Sequence, residues 1–144
     1  MNIDIREGFD AKFTEEVTRN NMMAYYKRRN IDWCKDSFLM ICEEYKNFQV
    51  LSGAKQVATF SLSFSQNLCL IRDLQVSKEC QNKGVGKFCL NYIYDYACAN
   101  NYSGLGLKVF SENTAIKLYE RFGFVAESDS GGAIKMLMSC EASV

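Results

Sequence analysis

The stretch Leu74-Gln75-Val76-Ser77-Lys78-Glu79-Cys80-Gln81-Asn82-Lys83-Gly84-Val85-Gly86-Lys87 is where one periodicity of the chain gives way to another. Before it, Leu68 to Val76 reads as a strand. After Gly84, the apolar residues Val85, Phe88, Cys89, Tyr92, Ile93 and Tyr96 recur at helical spacing, the stripe of a helix that faces a core. Between them lies a short loop with two glycines. A strand, a glycine loop and a helix start in that order present unpaired backbone N–H groups, and Gly84 and Gly86 let the backbone approach a ligand closely. The positive end of the helix then favours phosphate or pyrophosphate.

Three phosphate-binding patterns compete for this loop. A nucleotide P-loop needs Ser or Thr after its GK pair, but Lys87 is followed by Phe88. A dinucleotide fingerprint needs a third glycine where Cys89 stands. The remaining pattern, Gln81-x-x-Gly84-x-Gly86 opening a helix after a strand, resembles the pyrophosphate loop of the GNAT superfamily of N-acetyltransferases. Downstream, Asn113-Thr114-Ala115-Ile116-Lys117-Leu118-Tyr119-Glu120-Arg121-Phe122-Gly123-Phe124 resembles that superfamily's second signature, with one residue fewer before the alanine. It follows the loop by one helix and one strand, as in the family. The likeness rests on motifs from Leu68 to Phe124 and, before that, on element order alone.

The resemblance implies an α/β fold: a mixed, mostly antiparallel central sheet with flanking helices, in which two neighbouring parallel strands splay apart to hold the pantetheine arm of acetyl-coenzyme A. Here those strands are Leu68 to Val76 and Leu105 to Phe110. It further implies that the backbone of Leu74 and Val76 pairs with pantetheine. Gln81, Asn82, Lys83, Gly84, Val85, Gly86 and Lys87 would surround the pyrophosphate, with Lys83 and Lys87 adding point charges unless they are merely a solvated helix start. Asn113 is either an N-cap or, as the family implies, also a cofactor contact.

Tyr119 shares a helix face with Ala115 and Phe122, which fits a core tyrosine. The resemblance instead points its hydroxyl at the coenzyme A sulfur as the acid that protonates the leaving thiolate. Tyrosine keeps its proton at neutral pH, which suits that role. Asp73 is the nearest candidate for the base that takes the amine's proton; its other reading is an ion pair, and Glu43, Glu44 or a water are alternatives. Arg72 shares the parity of Leu68, Leu70, Leu74 and Val76, an oddity that a β-bulge would resolve. Two departures from the family pattern stand out: Ser77-Lys78 replaces a common proline, and Lys83 sits where Arg or Gln often precedes the first glycine. Neither removes a backbone donor.

Working outward, Ile3 to Glu7 reads as a strand, Lys12 to Arg29 as a helix with Phe13, Val17, Met23 and Tyr26 inward, and Asp32 or Asp36 to Tyr45 as a second helix. Phe48 to Leu51 is a short strand. Ala58, Phe60, Leu62 and Phe64 alternate with Thr59, Ser61 and Ser63, which predicts a half-buried antiparallel strand. Asn113 to Phe122 is helical and ends at Gly123; Phe124 to Glu127 and Ala133 to Ser139 form a last strand pair. Tyr25, Tyr26, Lys27, Arg28, Arg29 and Trp33 offer an aromatic and basic rim on the acceptor side, although cations at a helix end also complement its dipole.

Composition bounds the function. At 144 residues and 48% apolar, the chain is expected to form a single acetyltransferase-like domain over 1–144. Seventeen basic and seventeen acidic residues cancel, so nothing suggests a nucleic-acid or membrane partner. The chain has no histidine, which rules out Ser-His-Asp and Cys-His nucleophilic sites and Cys/His zinc clusters; no metal is expected. Seven cysteines without a CxxC pair read as reduced thiols in a cytoplasmic protein. There is no secretory pattern at the N-terminus and no run near the roughly 20 apolar residues of a membrane span.

These readings converge on transfer of an acetyl group from acetyl-coenzyme A to a primary amine of a small molecule or a protein or peptide, by direct attack. The alternative is a non-catalytic acyl-coenzyme A sensor, kept open by the lack of an obvious base. Strand edges without proline point to a homodimer.

Overall fold

The computed structural model describes residues 2–141; residue 1 and residues 142–144 of the expected 1–144 domain lie outside the described residues. In chain order the elements are β1 (Ile3–Glu7), α1 (Ala11–Arg28), α2 (Lys35–Glu43), β2 (Lys46–Ser52), β3 (Lys55–Ser65), β4 (Leu68–Val76), α3 (Val85–Ala99), β5 (Gly104–Phe110), α4 (Ile116–Phe122), β6 (Val125–Ser130) and β7 (Ala133–Ser139). A single 3-10 turn, Lys78–Cys80, follows β4. The seven strands run in the order β1-β2-β3-β4-β5-β7-β6, and the fold is the expected mixed α/β sheet with helices. No helix among the described residues is long and apolar enough to cross a membrane.

The chain divides into two compact units: residues up to Ser61 together with Asp73–Gly86, and Leu62–Arg72 together with the residues from Lys87 onward. In the first, β1 pairs antiparallel with β2 from Ile3 opposite Ser52 to Glu7 opposite Phe48. Helix α1 opens on Asp10, whose carboxylate accepts the Phe13 N–H at 3.0 Å, so one orphan donor of the first turn is satisfied. Its buried residues are Thr14, Glu15, Val17 and Thr18. Of the expected inner residues Phe13, Val17, Met23 and Tyr26, Val17 alone is fully buried. The periodicity misled because the inward face of the first turns is polar, with Glu15 neutralised by Arg19 one turn on.

Strand β3 also departs from expectation. Both faces are buried from Val57 to Leu62, as suits a strand with neighbours on both sides in the order above. Thr59 and Ser61 tolerate this because they are small, and the Thr59 hydroxyl donates to the Phe48 carbonyl at 3.1 Å, which offsets the cost of burying it. Phe64, expected on the inner face, is 38% exposed.

In the second unit the first residues of β4, Leu68–Ile71, pair in parallel with Gly104–Leu107 of β5. Beyond Leu107, β5 stays paired antiparallel with β7 as far as Phe110 opposite Ala133. Gly104 permits the close approach of β5 and β7: a Cβ there would lie 2.5 Å from the Met138 carbonyl oxygen. Helix α3 buries Val85, Cys89, Leu90, Ile93 and Ala97 completely or nearly so, while Phe88 is 44% exposed. The stripe is therefore the expected one turned slightly toward Leu90 and Ala97. Cys42, Cys69, Cys80 and Cys89 are buried, and all seven cysteines are free thiols.

Candidate functional site

Along β4 the buried positions are Cys69, Ile71 and Gln75, with Asp73 between the last two and partly covered. The inward face thus turns from apolar to polar within one strand. Arg72 lies on the opposite face, exposed, and its Nε donates to the Ser63 hydroxyl at 2.7 Å. It fits the face of Leu68, Leu70, Leu74 and Val76 because that face is the less buried one.

Asp73 Oδ1 accepts two hydrogen bonds, from the Leu74 N–H at 3.1 Å and from Gln75 Nε2 at 2.8 Å. Burial pushes its pKa up to about 6, against the downward pull of those two donors. Its charge is felt nearby: burial first and then Asp73 raise Tyr26 to about 12, and the same two causes raise the Cys42 thiol to about 11. Tyr26 stacks on Trp33 with ring centroids 6.4 Å apart, and Trp33 leans on Phe38 at 5.4 Å. The end of α1, the connection to α2 and α2 itself therefore supply an aromatic cluster whose Tyr26 member lies in the field of the carboxylate. Lys27 and Arg28 sit in the last turn of α1, exposed, with Arg28 over the Tyr25 ring at 4.9 Å.

The glycine loop follows. Gln81 donates from Nε2 to the Val76 carbonyl at 3.0 Å and to Asn21 Oδ1 at 3.3 Å. Asn82 and Gly84 both adopt positive φ, 60° and 84°, a conformation that favours glycine and tolerates asparagine. Among the described residues no turn or loop hydrogen bond takes up the N–H of Asn82, Lys83 or Gly84. Gln81, Asn82, Lys83, Gly84 and Lys87 are exposed, Gly86 is half-buried, and Val85 is buried as the first core residue of α3. Free backbone donors and two exposed ammonium groups at a helix start fit a pyrophosphate.

In the second unit, Asn113 Oδ1 accepts the Ala115 N–H at 2.9 Å and its carbonyl accepts the Ile116 N–H. The cap reading is thus realised in an Asx turn, and α4 starts at Ile116 instead of Asn113 because the capping turn occupies Asn113 to Ala115. Tyr119 is buried and meets Phe124 edge-on with centroids 5.8 Å apart. Its carbonyl accepts from Gly123 and Phe124 as the helix closes on Gly123, at φ 130°.

The structure thus links Asp73, Leu74, Val76 and Gln81 by hydrogen bonds through Gln75 and Asn21, and places Asn113 in the turn before α4 and Tyr119 in the middle of that helix. Sequence reading named Tyr26 for the acceptor rim but missed Asn21, Gln75 and Cys42. Gln75 was within reach, since it shares the parity of Asp73; nothing in the sequence ties residue 21 to residues 75–81. Among the described residues no group of three or more Cys, Asp or Glu is arranged to hold a metal ion.

Residues 36–126, well over half the chain, match the model of the acetyltransferase (GNAT) domain. The chain belongs to the GNAT acetyltransferase family. Solved structures share the fold at low identity. The ribosomal-protein alanine N-acetyltransferase of Escherichia coli is 20% identical, with 99% of this chain and 97% of that one covered and a TM-score of 0.74. The PaiA N-acetyltransferase of Thermoplasma acidophilum, in complex with coenzyme A, is 17% identical over 96% and 99%, with a TM-score of 0.78. An acetyltransferase of Bacillus subtilis, also in complex with coenzyme A, is 14% identical over 96% and 99%, with a TM-score of 0.76. No curated protein matches the sequence closely enough to count as a relative. Membership in the GNAT family makes the protein an acetyltransferase with acetyl-coenzyme A as its donor.

Proposed function

We propose that this GNAT protein acetylates a primary amine, of a small molecule or of a protein or peptide, by direct attack and without a covalent enzyme intermediate. The observation that carries the reading is Asp73: a half-buried carboxylate with a pKa near 6, on the strand that leads into the glycine loop. It is ionised at neutral pH yet more basic than an ordinary carboxylate, as a general base should be.

In this reading Gln81, Asn82, Lys83, Gly84, Val85, Gly86 and Lys87 hold the pyrophosphate, and Asn113 adds a contact beside its cap. The backbone of Leu74 and Val76 meets the pantetheine. In the structure their groups are held by side chains, the Leu74 N–H by Asp73 and the Val76 carbonyl by Asn21 and Gln81, partners that a pantetheine amide would join or displace. The amine approaches Asp73 along Tyr26 and Trp33 and gives it a proton. The nitrogen lone pair then adds to the thioester carbonyl, and the C–S bond breaks. The sulfur leaves as a thiolate that Tyr119 protonates, and the nitrogen gives up the second proton that an amide does not carry, which restores the Tyr119 hydroxyl. An amide and free coenzyme A result.

The family model spans residues of both units, which supports one acetyltransferase domain over the whole chain. Free, mostly buried thiols support a reducing, cytoplasmic setting, and pairing of strand edges would give a homodimer. Calorimetric titration with acetyl-coenzyme A, followed by a panel of amines with detection of released thiol, tests the whole. Micromolar binding and amine-dependent thiol release are expected. Binding without thiol release for any amine would leave a coenzyme A sensor, and no binding at millimolar donor would remove both readings.

A further inference from the structure

Three side-chain amides stand in line between the glycine loop and Asp73. Gln81 Nε2 donates to Asn21 Oδ1 at 3.3 Å, Asn21 Nδ2 donates to Gln75 Oε1 at 3.1 Å, and Gln75 Nε2 donates to Asp73 Oδ1 at 2.8 Å. The line joins α1, the end of β4 and the residue that opens the loop. Gln75 is 8% exposed and Asn21 half-buried.

The order of donors and acceptors in this line is not free. A primary amide can turn over and exchange its oxygen for its nitrogen, so its orientation is set by what surrounds it. The fixed point is the Val76 carbonyl, which can only accept. It takes hydrogen bonds from Asn21 Nδ2 at 2.9 Å and from Gln81 Nε2 at 3.0 Å. With its nitrogen so held, Asn21 turns its oxygen to Gln81 and its second N–H to Gln75. Gln75 must then present its oxygen to Asn21 and its nitrogen to Asp73. Were Gln75 reversed, its nitrogen would face the Asn21 nitrogen and its oxygen would face the Asp73 oxygen, with no hydrogen bond at either contact. The polarity imposed by one backbone carbonyl therefore reaches the carboxylate three side chains away.

We infer that Asn21 is a positioning residue of the acetyl transfer: anchored on the Val76 carbonyl and Gln81, it fixes the amide of Gln75 so that this donates to Asp73 Oδ1 and leaves Oδ2 to receive the amine's proton. Both hydrogen bonds to the carboxylate fall on Oδ1, and Oδ2 takes none among the described residues. A donor on Oδ1 favours the ionised form, so the line keeps a base that burial would otherwise protonate. The catalytic value of this arrangement rests on the reading of Asp73 as the base.

The test is a carboxyl 13C titration of the full chain labelled at aspartate, with the Asp73 resonance assigned by its loss in Asp73→Asn. This needs no acceptor and is blind to whether Asp73 takes a substrate proton. Asn21→Leu, close in size but without polarity, should raise the Asp73 midpoint by about half a unit to one unit. Gln75→Leu should raise it at least as far. A midpoint that moves in Gln75→Leu but stays put in a folded Asn21→Leu would overturn the role of Asn21. The wild-type protein supplies a second measurement should Asn21→Leu not fold. The side-chain amide 15N resonance of Asn21 should shift with the midpoint of Asp73, and an Asn21 amide indifferent to that midpoint would equally refute the proposal. The base reading is judged separately. If Asp73→Asn turns over amines as fast as wild type, Asp73 is not the base, whatever the titration says.

Discussion

The two halves of β4 do opposite work. Leu68–Ile71 is held by backbone: it pairs in register with Gly104–Leu107, and its inward residues Cys69 and Ile71 are buried and apolar. Asp73–Val76 is still strand but lies beyond the residues that pair with β5: the Leu74 N–H meets Asp73, the Val76 carbonyl meets Asn21 and Gln81, and the inward residues are a carboxylate and an amide. A strand whose ladder is complete is rigid and chemically silent. One that has parted from a neighbour along one edge can offer its backbone to a ligand and aim a titratable group, at a cost in stability. The comparison predicts that substitutions in the far half alter turnover while those against the near half alter folding.

The sharpest way to break it is Asp73→Asn. As the base, Asp73 should account for a factor of about 10² to 10⁴ in kcat, with acetyl-coenzyme A affinity little changed by calorimetry. The wild-type rate should climb as pH rises through about 6, where the carboxyl loses its proton, and the variant should lose that limb. The same change should stabilise the protein. The folded-state pKa is raised from 3.8, so the folded form binds the proton more tightly and ionisation penalises folding as pH rises between the two values. At pH 7 the variant, free of that penalty, should gain roughly 1–3 kcal/mol in urea unfolding. The gain should fade below pH 4. Loss of turnover joined to loss of stability would mean that Asp73 belongs with the near half after all.

The near half offers the mirror-image experiment. Gly104 lies opposite Leu68 in β4 and Ser139 in β7, and a methyl group there would press on the Met138 carbonyl. Gly104→Ala should cost about 2–3 kcal/mol of stability, measured by urea unfolding, with kcat per folded molecule unchanged. A normal unfolding midpoint would show that β5 and β7 can part without consequence.

Tyr119→Phe sits between these cases, since Tyr119 is buried against Phe124 as a core residue would be. If it is the acid, kcat should fall about 10- to 100-fold with donor affinity retained. Unchanged turnover would return it to the core.

How much of this was legible follows the same division. The change of periodicity at Gly84, the glycine loop and the end of α4 at Gly123 were readable because each is a local signal. So was the burial of Cys89, which falls on the apolar stripe after Gly84. What escaped depends on partners remote in sequence. Thr59 looked solvent-facing until the Phe48 carbonyl met it, and the polar inner face of α1 hid Thr14 and Thr18. Asn21 is an ordinary helix residue until it is set against Gln75 and Val76, 54 and 55 positions away. Asp73 could be nominated from its place on the strand, but its raised pKa arises from burial, which no local pattern reveals.

The smallest effect concerns the loop itself, where sequence and structure agree most closely. Gly84 stands at φ 84°, and a Cβ there would meet nothing within 4 Å, so the glycine serves the backbone and not the packing. Gly84→Ala should then act only through the cost of the left-handed conformation, about 1–2 kcal/mol. Part of that falls on folding and part on a loop that relaxes away from the pyrophosphate, giving a roughly three- to tenfold weaker Kd for acetyl-coenzyme A. Gly84→Asn should bind more tightly than Gly84→Ala although its side chain is larger, because asparagine tolerates positive φ, as Asn82 already does at 60° in the same loop. Should the two variants rank by size instead, the loop is limited by space around the cofactor, and the left-handed turn is not what Gly84 provides.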